Sequence, residues 1–472
     1  MIICSRNRPH YQRVWRCAIK LGLVLFLTGL AVQTAAGQTN FHTIISNGTA
    51  SNRLNVVFLS EVYTNGQFAL FLTHATNTAA ILLTNQPFAE YQSYFNVYAI
   101  AVASAQSGSD HPASAQFVNT YFNSSYDSIS DYIITIPPNA SGLGKVDALL
   151  DTFVPMADLA IMLVNDVVLG GSDGSGKTAI TSIAPFSLSD IPVHESGHVL
   201  ANLGDEYSTP NPGYPDTEEP NTTRETNRAL IKWTAWISTN TPLPTPPTFD
   251  YEDAVGLFEG AHYHTTGWYR PKLNCRMGSL GVSFCEVCQE ALVLSFYREV
   301  RPIDLFAPAN TNLTTTSTAA LNFTITPLLP AGHELNIQWL TNGTAVTCST
   351  NPVLTILPAS LGNGTNTVTA RVTDLTPLVR TDTSNLLSQT LRWNVSVNLP
   401  YVVLSVPRWL GAGSFAFRVS GAAPQGFIIQ VSTNLTNWTP VSTNQLVNGQ
   451  FDYTNQTAAS FPLQMFRAVV PP

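Results

Sequence analysis

The sequence contains little charge for its length. Only 11% of its 472 residues are Asp, Glu, Lys or Arg, and the formal net charge is −8. A chain without a basic excess has no general electrostatic attraction to nucleic acid or to an anionic membrane. We therefore expect no nucleic-acid partner, and a surface rich in Asn, Thr and Ser instead of charge is typical of a secreted protein.

Long hydrophobic runs are almost absent as well. The one clear case, LGLVLFLTGLAV (21–32), follows a basic stretch and precedes QTAAGQ (33–38), where Ala35 and Gly37 suit cleavage near Gln38. The run is short for a spanning helix. Residues 1–37 are therefore predicted to be a signal peptide, with an uncleaved anchor as the alternative. The mature chain is expected to have no membrane span and to be secreted, either outside the cell or into a periplasm.

Cysteine is also scarce, with six in the whole chain. Cys4 and Cys17 lie in the predicted signal peptide, which leaves Cys275, Cys285, Cys288 and Cys348. In an oxidising compartment the first three favour one local disulfide, which pairs Cys275 with Cys285 or Cys288. A zinc knuckle built on the C-x-x-C pair is the alternative.

A chain of this length is too long for one hydrophobic core, so two or three domains are expected. The first, residues 38–302, alternates strand-like and helix-like segments and predicts an α/β (α+β) domain. Buried strands are predicted in RLNVVFLSE (53–61), FNVYAIAVAS (95–104) and DLAIMLVN (158–165). Helical spacing occurs in residues 66–83 and 144–155, and a closing helix is predicted at 288–300.

The pattern changes after residue 302. No lysine follows Lys272, and short alternating segments replace the helical ones. LNIQWLTNGTAVT (335–347) predicts two strands joined by an Asn-Gly turn. Several such segments indicate an all-β immunoglobulin-like sandwich over residues 303–398, and a second small β module is expected at 399–472.

The candidate metal ligands and the candidate catalytic base lie in the segment IPVHESGHVLANLGDEYS (191–208). Ser189 or Asp190 is expected to cap a helix whose first turn tolerates Pro192. His194 and His198 then lie one turn apart on one face, where both imidazoles reach a single Zn²⁺ ion.

Glu195 lies about 100° round that helix, where its carboxylate can take a proton from water without binding the metal. H-E-x-x-H also occurs by chance on helices, but the capping signal and the small Gly197 favour chemistry here.

A third ligand is expected just after the helix. Had the helix continued, Asp205 would lie about 10 Å beyond His198, which is too far for coordination. Gly204 is expected to adopt a positive φ and reverse the chain, which brings Asp205 back to the ion. Glu206 is the alternative ligand. The ordinary interpretation is that Asp205 and Glu206 are simply solvated acidic residues after a helix.

HESGHVLANLGDEY (194–207) resembles the signature of the IgA-peptidase family of zinc metallopeptidases, a metzincin-like group. The resemblance covers roughly residues 45–300 and leaves out the C-terminal β region. The other blocks that match, in order, are SAQSGSDHP (104–112), MLVNDVVLGG (162–171), EEPNTT (218–223), VGLFEGAHYHTTGWYRPKLNCRMGS (255–279) and FCEVC (284–288).

The resemblance implies a metzincin-like zinc peptidase domain. His194, His198 and Asp205 would bind zinc, and Glu195 would be the base. Met277 would belong to the turn beneath the metal, where a thioether provides an apolar floor. Without the resemblance, Met277 would be interpreted as an ordinary core residue.

Tyr207, Tyr263 and His264 are further candidates for contacts to substrate or to the transition state. The simpler interpretation of each tyrosine is a buried residue whose hydroxyl has a hydrogen-bond partner. The simpler interpretation of His262 and His264 is that they are surface residues.

The leading hypothesis is a secreted zinc endopeptidase that acts on a protein or peptide, with β domains that contact a surface or glycan. The alternative is a non-catalytic binding or adhesion protein that retains a peptidase fold.

Overall fold

The computed structural model describes residues 39–128, 132–172, 174, 176–346, 351–422 and 424–471. The predicted signal peptide and Cys348 lie outside the described residues. Within these ranges, none of the helices combines the length and the apolar character needed to cross a bilayer.

The first part of the described chain mixes strands and helices. Its strands are β1 Thr39–Ile45, β2 Leu54–Glu61, β3 Phe95–Val102, β4 Ser125–Tyr126, β5 Ile134–Thr135, β6 Leu159–Val164, β7 Gly171–Ser172, β8 Thr178–Ser182, β9 Phe258–Ala261 and β10 His264–Arg270. Its helices are α1 Phe68–Thr84, α2 Leu143–Phe153, α3 Pro185–Ala201 and α4 Glu286–Glu299. The strands predicted at 53–61, 95–104 and 158–165 are confirmed as β2, β3 and β6, and the helices predicted from periodicity are confirmed as α1, α2 and α4.

A six-stranded sheet with the order β1-β3-β2-β6-β8-β7 organises this part. Its four inner strands are parallel, and the two outer strands run antiparallel to their neighbours. Side chains alternate between the two faces: Val56 and Phe58 of β2 pack with α1, α3 and α4, whereas Val57 and Leu59 pack with α2. Helix α3 follows β8 directly, so a strand buried on both faces fixes the start of the helix that carries the H-E-x-x-H motif.

The C-terminal part consists almost entirely of strands in small sheets. Two sheets enclose a core that contains the fully buried Trp339 and Trp393. Asn342 and Gly343 form the predicted turn, with φ of 50° and 81°. The elements of these two sheets, with one short helix, are β11 Ile303–Ala307, β12 Asn312–Thr315, β13 Leu321–Pro327, β14 Asn336–Thr341, β15 Thr344–Ala345, β16 Val353–Ile356, α5 Pro358–Leu361, β17 Gly364–Thr373 and β18 Ser388–Val397.

Two three-stranded sheets follow around a smaller core that includes Phe417, Phe427 and Ile429. Their strands are β19 Val402–Trp409, β20 Phe415–Gly421, β21 Gly426–Ser432, β22 Thr439–Gln445, β23 Gln450–Asn455 and β24 Met465–Val469. The fold as a whole is therefore a mixed α/β layer followed by β structure, as expected.

Buried polar contacts join the mixed layer to the first β part. Asp374 is 2% exposed and accepts hydrogen bonds from the hydroxyls of Tyr91 (2.8 Å) and Tyr297 (2.6 Å). His333 Nε2 lies 2.6 Å from Asp374 Oδ1, and its Nδ1 lies 2.6 Å from Glu90 Oε1. Because a carboxylate can only accept, both ring nitrogens donate, and His333 is held as the imidazolium.

The His333 contacts predict a junction that weakens as pH rises. Partial burial lowers the pKa of His333, but its hydrogen bonds to Asp374 and Glu90 outweigh that effect and raise the pKa above its usual value. The resulting stability is fully present below the unfolded pKa of about 6.5 and is lost as pH rises through the folded pKa. His333→Gln should lower the free energy of unfolding by about 1–2 kcal/mol below pH 6.5, and by less at alkaline pH.

Denaturant unfolding of the two proteins across this pH range measures the difference. The exposed His42 of β1 provides a matched control, since no described hydrogen bond joins its imidazole to this junction. An equal loss for His333→Gln at every pH would contradict the charged junction.

Candidate active site

Helix α3 places the two histidines side by side. The ring centroids of His194 and His198 lie 4.9 Å apart, and their Nε2 atoms are separated by 3.2 Å. Both residues point into the same space because they are one turn apart on the helix.

The helix begins earlier than the sequence predicted. It starts at Pro185, so Pro192 lies in its interior and neither Ser189 nor Asp190 is its cap. Asp190 instead forms a buried ion pair with Arg276, with 2.7 Å between Oδ1 and Nη1. This ion pair ties the helix to the loop that follows β10, an arrangement that a local capping pattern cannot reveal.

The chain reverses at Asn202 and not at Gly204. Asn202 has φ 52° and ψ 40°, in the left-handed region that asparagine tolerates, whereas Gly204 is not among the residues with positive φ. Gly204 has a different role, since a Cβ there would collide with the carboxylate of Glu219. Asn221 completes the turn: it accepts from the Gly204 N–H (2.7 Å) and donates to the Gly204 carbonyl (2.8 Å).

This turn brings Asp205 back to the histidines, as the sequence led us to expect. Asp205 Oδ1 lies 3.3 Å from His194 Nε2 and 3.4 Å from His198 Nε2. The same oxygen is buried and makes no directed hydrogen bond to any described residue. We call these three atoms the histidine triangle.

The triangle has the dimensions of a zinc site. Zinc bonds to histidine nitrogen and carboxylate oxygen are about 2.0–2.2 Å long, so the ligand atoms of a tetrahedral site lie about 3.3–3.5 Å apart. The three observed edges are 3.2, 3.3 and 3.4 Å. An otherwise unpartnered buried oxygen between two imidazoles fits a cation at this point.

Backbone carbonyls set the tautomer of both rings. His194 Nδ1 donates to the carbonyl of Arg276 (2.9 Å), and His198 Nδ1 donates to that of Leu203 (2.6 Å). Because Nδ1 carries the hydrogen in each neutral ring, Nε2 keeps a free lone pair for a metal.

The model of one peptidase family matches residues 43–254 and 247–296, which is more than half of the chain; its description is IgA Peptidase M64. The chain belongs to the IgA peptidase M64 family. Membership supports a peptidase, and the match ends before the C-terminal β strands.

Other comparisons add nothing to this assignment. A comparison with curated proteins gives no match. Among solved structures, the apo Bacteroides uniformis beta-glucuronidase 3 is similar at 9% identity and TM-score 0.14, over 44% of this chain and 27% of that one. The Clostridium thermocellum CbhA fibronectin(III)-like modules are similar at 10% identity and TM-score 0.15, over 32% of this chain and 77% of that one. Such low TM-scores do not bear on fold or function.

The site residues strongly influence one another's charge. Burial lowers the pKa of both imidazoles, but the contact of each with Asp205 and the negative charge of Glu195 outweigh it. The pKa of His194 is raised, and that of His198 is raised to about 9. Burial raises the pKa of Asp205, yet the two histidines hold it far below its usual range. Asp205 is therefore an anion at any physiological pH.

Glu195 lies beside the triangle on the same helix. Its side chain is buried, and one carboxylate oxygen, the His194 ligand atom and the His198 ligand atom lie within 4.8 Å of one another. Its carboxylate is thus close enough to contact a small molecule, such as water, that also contacts the triangle. The motif predicts this position for a base.

Met277 lies under the histidine helix. It is fully buried, and its sulfur would be 3.1 Å from a Cβ placed on Gly197, so a side chain there would have to displace its neighbours slightly. The Met277 carbonyl also accepts from the Glu206 N–H (2.8 Å). The turn therefore supports both the helix and the segment that carries Asp205.

Tyr263 orients the proposed acidic ligand. Its hydroxyl donates to Asp205 Oδ2 (2.7 Å), which leaves Oδ1 facing the histidines. The backbone supports this contact, since the His262 N–H donates to the Asp205 carbonyl and the Tyr263 N–H to the Tyr207 carbonyl. His262 and Tyr263 both have positive φ, 52° and 56°, a strained pair that is typical of functional sites.

The other candidates have different surroundings. The Tyr207 ring stacks 6.2 Å from the His194 ring at the edge of the site, and burial raises its pKa. His264 is exposed, and its Nδ1 donates to the His262 carbonyl. His262 is buried between Glu219 and the Pro215 carbonyl, and it stacks on Trp268. Of these residues, only Tyr207 and Tyr263 border the histidine triangle.

Tyr263→Phe is expected to weaken zinc binding about 10–100-fold, the usual effect of losing a partner that orients a metal ligand. The ring would remain, but Asp205 Oδ2 would lose its donor. Competition with a chromophoric chelator gives the affinity. Tyr207→Phe is the matched control, since no described hydrogen bond joins its hydroxyl to Asp205. Equal affinities for Tyr263→Phe and the parent would contradict the orienting role.

Glu206, the alternative third ligand, points away from the histidines. Its carboxylate is buried and lies 3.7 Å from the sulfur of Cys288. Cys275, Cys285 and Cys288 are all free thiols here, and 3.6 Å separates the sulfurs of Cys275 and Cys288. The structure therefore differs from the predicted disulfide, because a disulfide needs about 2.05 Å between sulfurs.

Proposed function

We propose that the chain is a secreted zinc-dependent endopeptidase in which His194, His198 and Asp205 hold one catalytic ion. The observation that carries this proposal is the histidine triangle, with edges of 3.2–3.4 Å and an unpartnered Asp205 oxygen. Membership of a peptidase family implies a protein or peptide substrate.

The proposed chemistry divides between the ion and Glu195. Zinc would supply Lewis acidity, which makes water a stronger acid near neutral pH. Glu195 takes the proton from the attacking water and can return it to the leaving amine. Burial keeps the carboxylate of Glu195 from being solvated by bulk water, and its place next to His194 on the helix fixes it beside the reacting centre.

The rest of the chain would place this centre. We propose a metzincin-like peptidase domain at 38–302, an immunoglobulin-like sandwich at 303–398 and a small β module at 399–472. Hydrophobic cores that lie wholly within 303–398 and within 399–472 support this division, although the core of the first segment also includes Leu328 and Leu387. The β domains would contact a surface or glycan, and the signal peptide at 1–37 would direct export.

Metal dependence is tested on the purified chain. Casein cleavage should stop after treatment with ortho-phenanthroline, continue with the non-chelating meta isomer, and return when zinc is added back. Zinc bound without any cleavage of casein or of unstructured peptides would instead favour the binding or adhesion protein. Cleavage that survives complete metal removal would rule out the proposed mechanism.

A further inference from the structure

A second group of side chains of the types that bind metals includes the residue directly after Asp205. All four members are buried, and their ligand atoms lie within 4.8 Å of one another. We call this group the cysteine cluster: Glu206, Cys275, Cys285 and Cys288.

The carboxylate of the cluster lacks a full set of partners. Asn221 donates to Glu206 Oε1 (2.9 Å), but Oε2 is buried and has no hydrogen bond to any described residue. Arg270 donates to the backbone carbonyl of Glu206 (3.1 Å), not to its carboxylate. A buried carboxylate oxygen without a donor is costly unless a cation or a proton compensates it. Oε2 therefore indicates, independently of the sulfur distances, a positively charged partner at this point, either a cation or a proton.

A disulfide would not provide a partner for the buried Glu206 carboxylate. A bond between any two of the sulfurs would leave the third thiol and the Glu206 carboxylate buried side by side. It would also require the sulfurs of Cys275 and Cys288 to approach from 3.6 Å to about 2.05 Å.

The distances instead suit a tetrahedral ion. Zinc–sulfur bonds of about 2.3 Å and zinc–oxygen bonds of about 2.0–2.2 Å place two sulfurs about 3.8 Å apart, and a sulfur and an oxygen about 3.5 Å apart. The observed separations are 3.6 Å between the sulfurs of Cys275 and Cys288, and 3.7 Å from the Cys288 sulfur to Glu206 Oε1. The Cys285-x-x-Cys288 spacing is also that of a common zinc-binding pair.

Local structure favours the thiolate form of Cys285, whereas burial alone would disfavour it for Cys275 and Cys288. Cys285 is the N-cap of α4, where the helix dipole favours negative charge. The Cys285 N–H also points at the sulfur of Cys275, at 3.4 Å.

We propose that the cysteine cluster is a second, structural zinc site with three thiolate ligands and one carboxylate. Four protein ligands leave no open position for water or substrate, so this ion would not be catalytic. The proposal does not rest on the proposed function, since none of the four residues belongs to the histidine triangle.

Such an ion would hold together the elements that build the active site. Glu206 directly follows Asp205, and Cys275 directly precedes Arg276, whose carbonyl fixes His194. Cys285 and Cys288 anchor the start of α4. The segment that carries Asp205, the Met277 turn and the start of α4 would thus be joined by one ion.

Metal analysis of the full chain, purified without added reductant, tests the site. The parent should contain two zinc ions per chain, and a thiol-specific mercurial should release one of them without unfolding the protein. This release needs no variant and so does not depend on how well a cysteine variant folds.

Variants assign the two ions. His198→Ala should retain one ion and, with cobalt in place of zinc, the near-ultraviolet absorption of thiolate–cobalt bonds. Cys285→Ser should lose that absorption, whereas Cys348→Ser, the matched control, should keep both ions. A single zinc per parent chain that the mercurial cannot release would overturn the proposal. So would an intact mass lower than that of the reduced chain by two hydrogen atoms, with Cys275 crosslinked to Cys285 or Cys288.

Discussion

Glu195→Gln is expected to lower kcat by at least about 10²–10⁴-fold, the range that general acid–base catalysis contributes. The amide has the same shape as the carboxylate but cannot accept a proton from water at neutral pH. Because Glu195 is not a member of the histidine triangle, zinc content and thermal stability should change little. Turnover of an unstructured peptide, zinc analysis and a melting curve measure the three quantities.

Glu252→Gln provides the matched control, since it makes the same change at an exposed position. It should leave kcat unaltered. If Glu195→Gln kept near-parental turnover with zinc bound, another group would have to be the base. If it lost zinc, Glu195 would instead belong among the ligands.

Asp205→Ala is expected to have the largest effect on metal binding. It removes the anionic member of the histidine triangle and leaves two neutral imidazoles. The loss of zinc affinity should therefore exceed the ~10–100-fold that removal of an outer partner typically costs. Metal titration monitored by competition with a chelator gives the affinity, and peptide turnover should fall in parallel at low zinc.

Asp216→Ala is the control for loss of an acidic residue, because Asp216 is exposed and forms an ion pair with the exposed Arg224, and no described hydrogen bond or ion pair joins its carboxylate to the histidine triangle. A contrary result has a clear form. Suppose that Glu206→Ala lost the zinc ion needed for peptide turnover while Asp205→Ala kept it. The chain would then turn differently in solution, and Glu206 would be the third ligand.

The parts of this site that the sequence predicted are those set by local rules. One helical turn separates His194 from His198, and only a helix is needed to bring their rings together. Asp205 was predicted correctly to lie near the rings, but for a reason that was wrong, because Asn202 makes the turn. Asparagine and glycine both tolerate positive φ, so the sequence alone does not show which of the two positions reverses the chain.

The contacts that the sequence did not predict join distant segments. Tyr263 reaches Asp205 across 58 positions, and Arg276 reaches Asp190 across 86. Neither contact leaves a periodic or spacing signal. Surface histidines were the simpler interpretation at 262 and 264, and only the tertiary fold shows that Tyr263 binds a carboxylate and that His262 is buried.

The start of α3 was missed for a similar reason. An interior proline removes one backbone hydrogen bond and usually ends a helix, so Pro192 suggested a helix start. In the fold, β8 fixes the earlier start at Pro185, and tertiary packing of the buried helix outweighs the local cost.

The hydrogen bonds to the Asp374 carboxylate show that the end of the family match is not the end of the buried hydrogen-bond network. The family match ends at residue 296, yet Tyr91, inside that limit, and Tyr297, just outside it, both donate their hydroxyls to Asp374 on its far side. The region that matches the family therefore does not satisfy all of its own buried polar groups, because one of them needs an acceptor outside that region. Exchange of the β part for an unrelated module would require replacement of those tyrosines, or of their acceptor, at the same time.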